Sequence, residues 1–141
     1  MRGKAELKFI GTVEKACEEK ARVRVFPEFC GGLKGIEGFS HLIILYWMHM
    51  RDNVKERSIL QVFPRGATVK TKTGVFACRS PSRPNPIGLC VVKLLNVENC
   101  VLTVEGLDAY EGSPIIDIKP YIQRRNSVPK TYTPEWLSNK P

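Results

Sequence analysis

The sequence predicts an all-β fold, and three observations predict it. Strand-like segments recur at intervals of roughly 10–15 residues with Gly, Pro and Asn turn signals between them, as in sandwiches and barrels. Stretches with the helical period are scarce. No glycine-rich strand-to-helix phosphate loop occurs, which argues against a Rossmann nucleotide domain. No internal repeat or low-complexity tract interrupts the pattern.

The elements follow in order. Leu7 to Val13 reads as a strand, with Gly11 marking a bulge or a point of close approach. Glu14 to Lys20 is polar and short, a loop or one helical turn. Ala21 to Phe26 alternates apolar and charged residues strictly, the pattern of a half-buried strand that Pro27 ends. Gly31, Gly32 and Gly35 mark a turn. Leu42 to Met48 is a continuous apolar run and predicts a central strand buried on both sides. His49 stands where that run stops, either at the rim of a pocket or facing water. Met50 to Lys72 is basic, with Ser58 to Phe63 a possible strand inside it. Ile87 to Val97 and Cys100 to Leu107 form a hairpin about Glu98-Asn99. Asp108 to Pro114 is an acidic loop with turn chemistry. Ile115 to Tyr121 is the last strand, on which Asp117 and Lys119 share a face. One domain over residues 1–121 is therefore expected, followed by an extended tail over 122–141 docked by Trp136 and Leu137.

Composition narrows the function classes. The 141 residues fit one domain with a modest core. The longest apolar run, Leu42 to Met48, is too short to cross a bilayer. The first residues lack an apolar signal region, so a cytoplasmic location is expected. A net charge of +8 and a pI near 9.4 favour a polyanionic partner, nucleic acid first. A basic surface that serves stability alone gives the same balance. The five cysteines, Cys17, Cys30, Cys78, Cys90 and Cys100, are odd in number and show no C-x-x-C spacing. In a reducing compartment that predicts free thiols. His41 and His49 lie far in sequence from most of them, so no metal is expected.

The most informative stretch runs from Gly74 to Leu89, Gly-Val-Phe-Ala-Cys-Arg-Ser-Pro-Ser-Arg-Pro-Asn-Pro-Ile-Gly-Leu. Pro81, Pro84 and Pro86 each fix φ and lack an N–H. Each also drives its predecessor, Ser80, Arg83 or Asn85, towards extended geometry. The result is a stiff loop bearing two guanidinium forks, Arg79 and Arg83, suited to carboxylate or phosphate. Two readings fit it, a preorganised binding site or a well-made turn.

This stretch resembles the signature of the TrmO-like tRNA methyltransferases, G-V-F-A-x-R-S-P-x-R-P-N-P-I-G. Two further blocks resemble the same family in the same order, Gly35-Ile36-Glu37-Gly38-Phe39-Ser40-His41-Leu42 and Leu107-Asp108 through Gly112-Ser113-Pro114 to Tyr121. The resemblance implies a single non-Rossmann β-barrel with few short helices, acting as a homodimer. It implies S-adenosylmethionine as cofactor and, as substrate, the N6 of a threonylcarbamoyl-adenosine next to the anticodon of a tRNA. It assigns cofactor contacts to His49, Met50, Arg79, Leu89 and the loop Asp108, Ala109, Tyr110 and Glu111. Within that set, carboxylates would hold ribose hydroxyls or the ammonium group, and Arg79 the carboxylate. Asp117, in the third block, is the expected base, or else half of an ion pair with Lys119. Arg83, Lys119, Arg124 and Arg125 are expected at RNA phosphates. The chain departs from the family after Gly11-Thr12-Val13, where Glu14-Lys15-Ala16-Cys17 replaces an Arg-Ser-Pro-like step. Two other functions stay open, a non-catalytic basic RNA-binding barrel and a methyltransferase acting on a small metabolite.

Overall fold

Strict alternation along Lys20–Val25, with Ala21, Val23 and Val25 inward and the charged residues outward, gives a strand with one apolar face. The computed structural model shows six such strands closing on themselves. It describes residues 1–17, 19–65 and 71–137, apart from the side chains of residues 16 and 17. Lys70 of the basic segment and residues 138–141 of the tail therefore lie outside the described residues.

Two compact units share the chain, residues 1–49 with 87–121 and residues 50–86 with 122–141. The first unit is the barrel. Its strands are β1 (Gly11–Cys17), β2 (Lys20–Val25), β3 (His41–Trp47), β6 (Ile87–Glu98), β7 (Val101–Glu105) and β8 (Pro114–Pro120). They close in the order β1-β2-β7-β6-β3-β8, with every described pairing antiparallel. Closure removes the exposed edges that an open sheet leaves. Val13, Val23, Leu42, Ile44, Val92, Leu102, Val104 and Ile115 fill the interior, each at most 1% exposed. Burying each such side chain stabilises the barrel by roughly 1.5–3 kcal/mol.

Several expectations need correction. The strand expected at Leu7 to Val13 begins at Gly11. The supposed loop at Glu14 to Lys20 instead extends β1 to Cys17, in a tight hairpin pairing Cys17 with Lys20. A Cβ at Gly11 would fall within the contact shell of the Arg24 carbonyl oxygen, so close approach is the role of that glycine, and the bulge lies between Val13 and Lys15. β3 is not buried on both sides. Its burial alternates, because one face of a barrel strand is always outside, and here that outer face is apolar as well. Pro27–Leu33 forms a 3₁₀ segment with no buried residue.

The cysteines also depart from expectation. Cys30 and Cys100 form a disulfide across 70 residues of sequence, with Cα atoms 5.5 Å apart. Asn99 and Cys100 carry φ of 51° and 64° between the paired residues Glu98 and Val101, the two-residue hairpin turn with both central φ positive. That turn sits at the end of β2, since the Val25 N–H donates to the Cys100 carbonyl at 2.9 Å. Cys30 follows five residues later. The juxtaposition is a product of topology, which spacing cannot reveal. Cys78 and Cys90 are free thiols, and the Cys17 side chain lies outside those described.

The second unit holds a two-stranded ribbon, β4 (Gln61–Val62) with β5 (Thr73–Gly74), in place of a longer strand over Ser58 to Phe63. It also holds the helical turn α1 (Val54–Arg57), the proline-rich loop, and a second helical turn, α2 (Gln123–Asn126). Trp136 is half-buried and Leu137 exposed. No described helix is long and apolar enough to cross a membrane.

Candidate functional site

In the barrel unit the predicted cofactor contacts gather at one end. β3 ends at Trp47, opposite Ile87 at the start of β6, and Tyr46 pairs with both Gly88 and Ile115. The acidic loop between β7 and β8 runs past this end and is tied to it at several points. The buried Tyr46 hydroxyl donates to the Asp108 carbonyl at 2.5 Å, and the Asp108 N–H donates to Cys90 Sγ at 3.3 Å. The Gly112 N–H donates to the Val13 carbonyl at 2.7 Å, and the Ser113 N–H to the Tyr110 carbonyl at 3.0 Å. Gly112 takes φ +87°, a conformation L side chains resist. The backbone from Asp108 to Ser113 is thus fixed while the side chains of Asp108, Tyr110 and Glu111 stay exposed.

Gly88 makes this arrangement possible. A Cβ there would collide with Cζ, Cε2 and the hydroxyl oxygen of Tyr46, so the phenol crosses over Gly88 on its way to Asp108. Burial, the neighbouring Cys90 and the charge of Asp108 all push the Tyr46 phenol well above its ordinary pKa. It therefore remains a donor at neutral pH. Leu89, on the outer face of β6 opposite Leu45, is 48% exposed and offers an apolar surface. His49, two residues past β3, is exposed, and so is Met50, the first residue of the second unit.

Asp117 and Lys119 form the ion pair that their shared face allows, Nζ to Oδ2 at 3.0 Å. The other carboxylate oxygen accepts from the Ile118 N–H at 2.9 Å. Both oxygens of the expected base are therefore engaged. A shallow cavity of about 250 Å³ lies at the opposite end of the barrel, lined by Glu37, Phe39, Leu94 and Val97 among others, and holds none of the predicted residues.

In the second unit the proline-rich loop is held by three arginines. Prolines supply no N–H, and guanidinium groups satisfy the carbonyls instead. Arg57 Nε donates to the Pro84 carbonyl at 2.8 Å, and its Nη2 to Asn85 Oδ1 at 3.3 Å. Arg83 Nη1 donates to the carbonyls of Ser80 at 3.0 Å and Cys78 at 3.2 Å. Arg51 Nη1 donates to Ser82 Oγ at 2.9 Å, and the buried Ser82 hydroxyl donates to the Glu56 carboxylate. The Ser82 hydrogen bond, aided by Arg51 and Lys55 against some desolvation, holds the Glu56 carboxyl below its ordinary value. α1 carries Glu56 into place because Asn53 caps it, Oδ1 accepting from the Glu56 N–H at 2.9 Å.

The sequence reading missed this frame. Tyr46 was lost within an apolar run. Arg51, Glu56 and Arg57 were lost within a basic segment, although Asn53-Val54-Lys55-Glu56 carries the Asn-x-x-Glu signal of a helix start. Arg83, expected at a phosphate, braces its own loop. Arg79 is exposed, as are Arg124 and Arg125 in the last turn of α2.

Comparison with known proteins agrees with this architecture. A probable S-adenosyl-L-methionine-binding protein of Methanothermobacter thermautotrophicus is 47% identical over 110 residues, covering 78% of this chain and 75% of that protein. The human tRNA (adenine(37)-N6)-methyltransferase is 39% identical over 127 residues, covering 89% of this chain but 27% of the human protein. The crystal structure of TrmO from P. aeruginosa superposes with a TM-score of 0.74 at 26% identity, covering 96% of this chain and 62% of that one. Residues 12–127 match the profile of the tRNA-methyltransferase O N-terminal domain, and the chain belongs to that family.

Proposed function

We propose that this protein is an S-adenosylmethionine-dependent methyltransferase acting on the N6 of an adenosine in tRNA. More finely, the substrate is the threonylcarbamoyl-adenosine next to the anticodon. The observation that carries this reading is the Asp108–Glu111 segment, whose backbone is clamped by Tyr46 and Cys90 while its carboxylates remain exposed. This occurs in a chain similar along most of its length to a tRNA adenine-N6 methyltransferase.

The donor set fits the cofactor. Asp108 and Glu111 suit ribose hydroxyls or an ammonium group, and the exposed Leu89 suits a flat apolar ring. Bound S-adenosylmethionine supplies an electrophilic methyl on a sulfonium, a good leaving group, so alignment provides most of the acceleration. Transfer of that methyl to N6 would release S-adenosylhomocysteine and the N6 proton, which a base or solvent would take up. A carbamoyl substituent acidifies that N–H, so the base need not be strong. Asp117 is the base expected from the sequence. Because both its oxygens are engaged, we read it as the structural partner of Lys119.

The family resemblance gives the remaining roles, Arg79 for the cofactor carboxylate and His49 and Met50 as further contacts. It also gives a homodimer, which the apolar outer stripe Ile87-Leu89-Val91 supports, and a cytoplasmic site of action, where tRNA is found. Light scattering tests the dimer. Calorimetric titration of S-adenosylmethionine into wild type and Arg79→Ala tests the cofactor reading, followed by transfer of labelled methyl to tRNA. Binding weakened by Arg79→Ala supports the site. A folded protein that binds no S-adenosylmethionine leaves only the RNA-binding alternative.

A further inference from the structure

The protein's excess positive charge does not belong to the barrel. Residues 1–49 and 87–121 carry 10 Lys/Arg against 11 Asp/Glu, whereas residues 50–86 and 122–141 carry 12 against 3. The barrel is thus close to neutral, at −1, and the second unit stands at +9. Within residues 50–86 both acids are already engaged, Asp52 by Arg57 and Glu56 by Arg51. The exposed Lys55, Arg65 and Lys72 add to an uncompensated surface.

The same unit exposes aromatic rings. Val75 turns into the protein at 1% exposure, and the next residue of the same 3₁₀ turn, Phe76, is left 78% exposed. Phe63, just beyond β4, is 61% exposed, and Lys72 Nζ lies 5.7 Å above its ring. Val75 and Phe63 mark the two ends of the β4–β5 ribbon, whose backbone the Val75 N–H extends by donating to the Leu60 carbonyl at 2.9 Å. Solvent-facing phenylalanines gain nothing from exposure. Exposed rings amid cations form the usual platform for unpaired bases, because every base has a stacking face while the phosphates meet the charge.

We propose that the second unit is a docking surface for single-stranded RNA, with Phe63 and Phe76 stacking on unpaired bases and Arg65 and Lys72 meeting the backbone. This deepens the tRNA reading given above and rests on it. The partner is a loop with splayed bases, since a fully paired A-form helix offers no free base faces to a ring.

The test compares Phe63→Ala, Phe76→Ala, their Tyr counterparts and Lys72→Ala with wild type. The probes are a fluorescent anticodon stem–loop RNA and a blunt, fully paired RNA duplex of similar size. Each Phe→Ala variant is expected to weaken stem–loop binding by about 5- to 150-fold, with Tyr retaining it. Binding of the paired duplex should change little in the Phe→Ala variants. Lys72→Ala should lower the slope of log affinity against log salt by about one unit. S-adenosylmethionine affinity, measured in the same variants, should stay at the wild-type value. Wild-type stem–loop affinity in the folded Ala variants would overturn the proposal. So would a shift in self-association with RNA affinity intact, which would make the rings a protein contact. A wild type that binds S-adenosylmethionine but no RNA overturns this surface and leaves the cofactor reading standing. If it binds RNA but no S-adenosylmethionine, the proposed activity fails while the phenylalanine variants still decide the surface.

Discussion

Removing one oxygen atom, by Tyr46→Phe, tests whether the acidic loop is held as the geometry implies. The hydroxyl is the only difference, so the ring that crosses Gly88 and packs in the barrel stays in place. What is lost is the 2.5 Å hydrogen bond to the Asp108 carbonyl. A neutral hydrogen bond contributes about 0.5–1.5 kcal/mol net. For a domain of this size that lowers the melting temperature by about 2–6 °C. If the energy serves to hold Asp108–Glu111 in its binding conformation, S-adenosylmethionine dissociation should rise about 2- to 12-fold. Thermal melting and calorimetry on the two proteins read these effects separately. pH adds a sign check. Because the folded Tyr46 pKa is raised, its stabilisation is complete below the ordinary tyrosine value of 10.0. It declines as pH rises from there towards the folded value, so the stability gap between wild type and variant should narrow only under alkaline conditions. Unchanged melting would refute the clamp. Lower melting with unchanged cofactor affinity would remove the loop from the cofactor site.

Other perturbations have equally definite outcomes. Gly88→Ala drives a methyl into the Tyr46 ring and should destabilise the barrel by about 1–3 kcal/mol while weakening cofactor binding, measured by the same pair of methods. Glu56→Gln should lower the melting temperature at neutral pH. The folded Glu56 pKa lies below its ordinary 4.5, so its contribution is present above that value and fades as pH falls through the folded one, and the two melting curves should converge in acid. Reducing Cys30–Cys100, or Cys30→Ser, should cost about 2–4 kcal/mol for a loop of this length, seen as a denaturation midpoint sensitive to dithiothreitol in wild type alone. Asp117→Asn should leave methyl transfer within about two- or three-fold of wild type, as suits an exposed ion pair worth at most about 1 kcal/mol.

The barrel was legible because period-two alternation is a local signal. Ala21 to Phe26 announced its own strand, and the hairpin around Glu98-Asn99 followed from a turn between two apolar runs. Leu42 to Met48 misled for a related reason. An unbroken apolar run normally means two buried faces. Here the outer face of β3 is apolar beside Val91, Leu89 and Ile87 of β6, so the alternation exists in the burial and not in the residue types. The Asp117–Lys119 pair was legible at a spacing of two. Cys30–Cys100 was not, since it depends on which strand end the β6–β7 turn meets.

The candidate site was half legible, and the division follows the chemistry. The proline-rich loop could be found because proline constrains its own neighbours, but the guanidinium on the Pro84 carbonyl comes from α1 and the one on the Ser82 hydroxyl from just before it, where Arg57 and Arg51 read as surface charge. Charge itself shows the same limit. A net +8 is one number for the chain, compatible with a uniform coat or with a single basic face. Only the topology, which takes the chain out of the barrel after His49 and returns it at Ile87, divides that number into a neutral barrel and a unit at +9. The barrel holds the exposed carboxylates suited to a cationic cofactor, and the second unit holds the rings and cations suited to RNA. On the proposed function, a neutral barrel that meets the cofactor does not need a basic surface, and a unit that docks RNA would bind less well with Asp108, Glu111 and Asp117 among its charges. On that proposed function, the separation of charge between the two units matches two ligands of opposite electrostatic demand, a cationic cofactor and an anionic RNA.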